Sequence, residues 1–324
     1  MITSDSQVLL LLFSNLGLPS DPDFPPLTLR EWNPIARKLQ IKNLRPGVLL
    51  DWSTSDLQAQ LSLTPDEANR LVNLLARGGA LAIKLESLKP LGIHPLTRAD
   101  LDYPQRYRQR LKDSAPAVLF YAGEKALLGQ PGIAVVGSRH LDEAGQECAR
   151  IVGNYCGHSG LVLYSGGAKG VDTLSMDSAF EASGFAVGVL ADSLEKATRR
   201  CQEPLRKGQL CLLTPYSPDA GFSVGAAMGR NRLIYCLADY AIVVASDAET
   251  GGTWAGSTEA IKNGWLPVFV LEHDQMPDGN KLLLHKGGLT LTYSSFNKSS
   301  FKLEELLKEK SASQSEAASQ PKLF

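Results

Sequence analysis

Four short stretches of this chain combine small residues with cations in a way that suits anion binding. "VGSR" ends on Gly137-Ser138-Arg139, and "SGGAKGVD" carries Ser165, Gly166, Gly167 and Lys169. "GRNRLIY" places Arg230 and Arg232 around Asn231, and "TGGTWAGSTEA" sets Gly251 and Gly252 between Thr250 and Thr253, next to Trp254. Backbone N–H groups in a glycine turn that opens a helix form an anion site, and one Arg or Lys adds charge-assisted hydrogen bonds. Cationic turns beside an aromatic suit single-stranded nucleic acid, whose phosphates are neutralised and whose bases stack. None of the four is G-x-G-x-x-G or a Walker A turn, so no dinucleotide or NTP site is indicated. Each turn taken alone is equally a plain strand-to-helix connection, and Trp254 is equally a core residue.

Catalytic constellations are sparse. No paired carboxylates, Ser/His/Asp set or metal cluster stands out. The histidines at 94, 140, 158, 273 and 285 are scattered, and His140 alone adjoins a candidate turn. The five cysteines form no C-x-x-C pair, which points to reduced thiols used as small core residues rather than to a metal site. No cofactor is expected. The formal charge of −1 supplies no global positive field, so any nucleic-acid surface must be built from locally gathered cations.

The elements that would position these turns follow from the apolar pattern. "IAVVG", "LVLYSGG", "AVGVLAD", "LCLLTP", "YAIVVAS" and "PVFVLE" are short β-rich runs separated by helical stretches. Such alternation implies βαβ units and a parallel sheet with helices on both faces. Ligands of such sheets bind at the carboxyl ends of the strands. Gly137-Ser138-Arg139, Ser165-Gly166-Gly167, Asp247 to Gly252 and Glu272-His273 lie at those ends. Helices are expected to begin near Asp142 and Val171, with Arg230 and Arg232 at the front of another.

Residues 1–88 read as a small helical domain, 89–298 as the α/β domain, and 299–324 as a helix, "FKLEELLKEK", with a disordered polar tail from Ser311. In the first of these, Thr64 caps a helix with Pro65 at its first position, an apolar stripe follows, and Gly78-Gly79 ends it. "LPSDPDFPPLT" is a proline-rich connector. The apolar start "VLLLLF" has no basic flank and falls well short of the ~20 residues of a membrane span, so it reads as a core helix in a cytoplasmic protein.

The order of the turns resembles the DprA/Smf (DNA-processing protein A) family. The likeness runs from Leu101 to Thr292. "DYPQRYRQRLKDSAPAVLFYAGE" is similar to the family's lead-in segment, and "VGSR" with Gly145, "SGGAKGVD", "GRNRLIYCLADYAIVVAS", "TGGTWAGSTEA" and "DGNKLLLHKGG" follow in family order. The resemblance implies an extended Rossmann-like domain behind a helical module of the SAM or helix-hairpin-helix kind. It also implies single-stranded DNA binding by a homodimer that delivers DNA to the RecA recombinase, with Arg139, Lys169, Arg230 and Arg232 as DNA contacts. The chain departs from the family pattern at Met176, Thr214-Pro215 and Thr250-Gly251-Gly252, and no winged-helix sequence follows the α/β region. Some DprA-like proteins serve in phage defence or beside a cognate toxin, which gives a second biological setting. "GGTWAGSTE" is also similar to the Gly-Gly-x-Gly-Thr-x-x-Glu turn of LOG phosphoribohydrolases, with Glu259 as the carboxylate of that enzyme alternative.

Overall fold

The computed structural model describes residues 2–19, 23–297 and 301–319. Residues 20–22 of the proline-rich connector and 320–324 of the tail lie outside the described residues. The chain forms two compact units: Met1–Ala122 with Asp192–Arg200 and Leu213–Gly221, and Gly123–Ala191 with Cys201–Leu212 and Phe222–Phe324.

The first unit is mostly helical. Val8 to Leu12 of the Ser4–Phe13 helix are all buried, so the apolar start is a core helix. Phe13 meets Trp32 edge-to-face at 5.9 Å. Thr64 caps the Pro65–Leu75 helix in a reciprocal capping box with Glu67, leaving Ala68, Leu71 and Leu74 facing the core. Gly78 and Gly79 begin the next helix, Gly78–Leu88, rather than serving as a stop. The unit runs on past residue 88 through strands β1 (Ile93–Thr97) and β2 (Val118–Gly123), paired antiparallel. Asp100, just beyond β1, accepts from the Ser6 hydroxyl at 2.6 Å and from the Thr97 N–H at 2.6 Å, tying the strand to the first helix.

The second unit holds the α/β sheet. Its strands are β3 (Gly132–Gly137), β4 (Val162–Ser165), β5 (Ala186–Val189), most of β6 (Leu210–Thr214), β7 (Tyr240–Ala245), β8 (Val268–Glu272) and β9 (Leu289–Thr292). They lie in the order β6-β5-β4-β3-β7-β8-β9. From β5 to β9 every neighbouring pair of strands is parallel. β3 reads Ile-Ala-Val with every side chain fully buried, because helices cover both faces of the sheet. The six apolar runs of the sequence are β3 to β8; β1, β2 and β9 were not foreseen.

Chain order reverses at β3. The chain moves outward through β4, β5 and β6, then returns to place β7 on the other side of β3. That topological switch opens a crevice at the carboxyl ends of β3 and β7, the usual ligand position in an open α/β sheet. The Glu143–His158 helix follows β3, capped by Asp142, whose side chain accepts from the Gly145 N–H at 2.7 Å.

The carboxyl-terminal helix, Leu303–Ser319, extends through the stretch expected to be disordered from Ser311. Buried Leu303 and Leu307 seat it, and Lys310 Nζ donates to the Thr290 carbonyl at 2.6 Å. Ser311 and Ser313 turn their hydroxyls back onto the carbonyls of Leu307 and Glu309. Their polarity is thereby absorbed within the helix instead of breaking it. Among the described residues no helix is long and apolar enough to cross a membrane.

Candidate nucleic-acid interface

The turn after β3 is held from both sides. Ser138 donates its backbone N–H to Ala245 O of β7 at 2.8 Å, and its carbonyl accepts from Val171 N at 3.3 Å. The Ser138 hydroxyl accepts from the His140 N–H at 3.2 Å. With its backbone fixed in this way, Arg139 projects into solvent, its guanidinium carbon 5.6 Å from the centre of the Phe222 ring.

The second turn is built around a buried carboxylate. Asp172 Oδ2 accepts from the N–H groups of Gly166 at 3.1 Å and Ala168 at 3.3 Å. These amides, expected to cradle a phosphate, therefore serve the loop itself. Ser165 is fully buried and donates its hydroxyl to Val135 O at 2.7 Å. Burial pushes the Asp172 carboxyl above its usual range, against the downward pull of the Arg230 charge and of its hydrogen-bond donors. Gly166 has to be glycine because a Cβ there would run into the Arg230 guanidinium and Asp172 Oδ2. At the end of the loop Lys169 is exposed, and Gly170 takes φ +86° before the Val171–Glu181 helix.

The third element corrects the expectation for Arg230. The helix starts at Val224, capped by Ser223, so Arg230 sits mid-helix on its inner face. It is 5% exposed, and Nη1 donates to Val189 O of β5 at 2.8 Å. Arg230 is thus an internal support of the sheet edge rather than a surface cation. Asn231 donates Nδ2 to Gly252 O at 3.0 Å, which locks this helix to the next. Arg232 is half-buried, with its Nε buried and without a hydrogen-bond partner.

Gly251 and Gly252 are the first residues of the Gly251–Asn263 helix, with Thr250 at the cap position. Trp254 is half-buried and engaged by Lys286, whose Nζ lies 5.6 Å from the ring centre.

These elements enclose a cavity of about 350 Å³ at the switch point. Of the sequence-derived candidates, Gly137, Ser138, Arg139, Arg230, Asn231, Gly251 and Gly252 line it. Ser165, Gly166, Gly167, Arg232 and Trp254 do not. Lys169 lines a more open depression, beside Gln146 and Thr173, that shares Arg139 and His140 with the cavity. The structure adds Phe222, Val224 and Met228 to the cavity wall, together with Asp172. Asp172 was visible as the last letter of "SGGAKGVD". Phe222 carried no signal beyond its place just before a serine cap. Glu259 is exposed and lines none of these concavities. Among the described residues no group of three or more His, Cys, Asp or Glu could hold a metal.

The family model for DNA recombination-mediator protein A matches residues 94–298. The chain belongs to this family, DprA/Smf. A curated relative, DNA processing protein DprA of Streptococcus pneumoniae, is 30% identical over 186 residues, covering 55% of this chain and 64% of that protein. The match therefore spans just under two thirds of that relative's length. The crystal structure of S. pneumoniae DprA superposes with a TM-score of 0.69 at 22% identity, over 93% of this chain and 99% of that one. A Helicobacter pylori DprA structure, described for its single-stranded DNA binding mode, gives 0.55 at 24% identity over 67% of this chain and 97% of that one. Both share the fold of this chain.

Proposed function

We propose that this DprA-family member binds single-stranded DNA along the carboxyl ends of β3 and β4 and acts in DNA processing and recombination. One observation carries the proposal. Arg139 stands exposed between two concavities, the switch-point cavity and the depression that holds Lys169, so two free cations follow one edge of the sheet. A strand laid along that edge would have its phosphates neutralised at Arg139 and Lys169 while its bases remain free to turn inward. The binding mode named for the H. pylori relative supports the same substrate.

Binding, not catalysis, is the activity we assign. The carboxylate that a phosphoribohydrolase would need, Glu259, is exposed and lines neither the switch-point cavity nor the depression that holds Lys169. Family membership further supports a homodimer that hands DNA to RecA, and sedimentation with and without DNA tests the first part of that arrangement.

The decisive measurement is a salt series of binding to single-stranded and blunt duplex DNA of equal length. Single strands should bind more tightly at every salt concentration. Equal or tighter binding to duplex would overturn the proposal.

A further inference from the structure

Phe222, Val224 and Met228 are large apolar side chains left 56%, 71% and 44% exposed, and all three line the wall of the switch-point cavity. Their placement is set by the backbone. Ser223 caps the helix by accepting from the Ala226 N–H at 3.1 Å, which fixes Phe222 one residue outside the first turn. The next turns of the same helix then present Val224 and Met228 on the cavity side.

We propose that this apolar wall, with Phe222 at its head, is the stacking surface for a base of the bound strand. The inference rests on the single-stranded DNA reading above and names the group that receives the base. Three observations favour a base over other occupants. The Arg139 guanidinium lies 5.6 Å from the Phe222 ring centre, so the cation for a phosphate and the aromatic face for a base adjoin within one cavity. The volume of about 350 Å³ is at the small end of ligand clefts, which span roughly 300–1,000 Å³, and suits one extruded nucleotide rather than a duplex. Trp254, the aromatic that the motif brings closest to the cationic turns, does not line the cavity. Phe222 is the exposed aromatic of the cavity wall, with Arg139 beside it.

Stacking on an aromatic is tolerant of sequence, because every base has a π-face. It adds affinity without neutralising a phosphate, so it should leave the salt dependence alone. That separates Phe222 from Arg139 in one assay.

The test is fluorescence anisotropy with oligo(dT) and with an abasic strand of the same length, on the wild-type chain and on Phe222→Ala, Phe222→Trp and Arg139→Ala, each checked for native circular dichroism. Phe222→Ala should weaken oligo(dT) binding about 5- to 150-fold, with an unchanged slope of log K against log salt and no effect on the abasic strand. Phe222→Trp should retain affinity, and its added fluorescence should be quenched by oligo(dT) more than by the abasic strand. Undiminished oligo(dT) binding by Phe222→Ala, or an equal loss on both strands, would overturn the stacking role while the DNA-binding reading stands. A loss accompanied by a changed sedimentation coefficient would assign the wall to contact with a second copy of this chain instead. Failure of the wild-type chain to bind either strand would overturn the DNA-binding reading itself, and the stacking role with it.

Discussion

Arg230 donates from Nη1 to the carbonyl oxygen of Val189 at 2.8 Å, and both residues are buried. The contact joins the middle of the Val224–Leu237 helix to the carboxyl end of β5. Its charge also acts on the buried carboxyl of Asp172, which in turn organises the Gly166–Ala168 loop. One guanidinium thus supports the turn that carries Lys169, without itself reaching solvent.

Replacing Arg230 should therefore be felt in stability first. Arg230→Ala leaves the buried Val189 carbonyl without its Arg230 donor and removes the charge that opposes the burial of the Asp172 carboxyl, a loss of about 1–3 kcal/mol. Urea unfolding followed by circular dichroism measures this as a lowered midpoint. A loss within about 0.5 kcal/mol, the usual range for a surface substitution, would show that the side chain is not the internal support described here.

Gly170 joins the two cationic turns. Its φ of +86° with ψ of −130° lies where L side chains rarely go, and a Cβ there would meet the Ser138 carbonyl oxygen. Gly170→Ala should destabilise the chain by about 1–3 kcal/mol and weaken DNA binding, because Val171 N could no longer reach Ser138 O unstrained. Gly129, with open space around it and no positive φ, is the control: its alanine variant should leave both quantities nearly unchanged. Equal behaviour of the two variants would separate the turns from one another.

The interior of the α/β sheet was readable in the sequence, because β3 to β8 are apolar runs bounded by glycines and polar turns. β1 and β9 escaped for physical reasons. β1 contains His94 and Pro95, and β9 is "LTLT", whose residues other than Leu291 remain partly exposed. At the site, the turns at Arg139 and Lys169 were legible, since a strand running into small residues and a cation is a local pattern. The sequence pattern misplaces Arg230, because the cluster "RNR" reads as the start of a helix that Ser223 in fact caps well upstream. Trp254 reads equally as a ligand contact and as a core residue, because Lys286, which lies against its ring, is distant in sequence and only the fold brings it near. Phe222 was invisible for the mirror reason. A lone phenylalanine before a serine cap gives no hint that the chain beyond it will leave the ring uncovered beside Arg139.

The exposed cations provide the remaining prediction. Arg139 and Lys169 both face solvent, and neither has an ion pair among those found in the described residues. If each neutralises one phosphate of a bound strand, its removal releases one fewer counterion on binding. The slope of log K against log salt should then shrink by about 0.7 for Arg139→Ala and again by about 0.7 for Lys169→Ala. The double variant should lose about twice that, to the extent that two neighbours on one depression act independently. Affinity should fall similarly on all sequences, since phosphate contacts position a strand without reading it. Stability should move by no more than about 0.5 kcal/mol in either single variant, in contrast to Arg230→Ala. Anisotropy titrations across salt, paired with urea melts of the same preparations, test both halves. An unchanged slope with a lowered melt at Arg139 would make that residue structural and leave Lys169 as the phosphate contact of this edge.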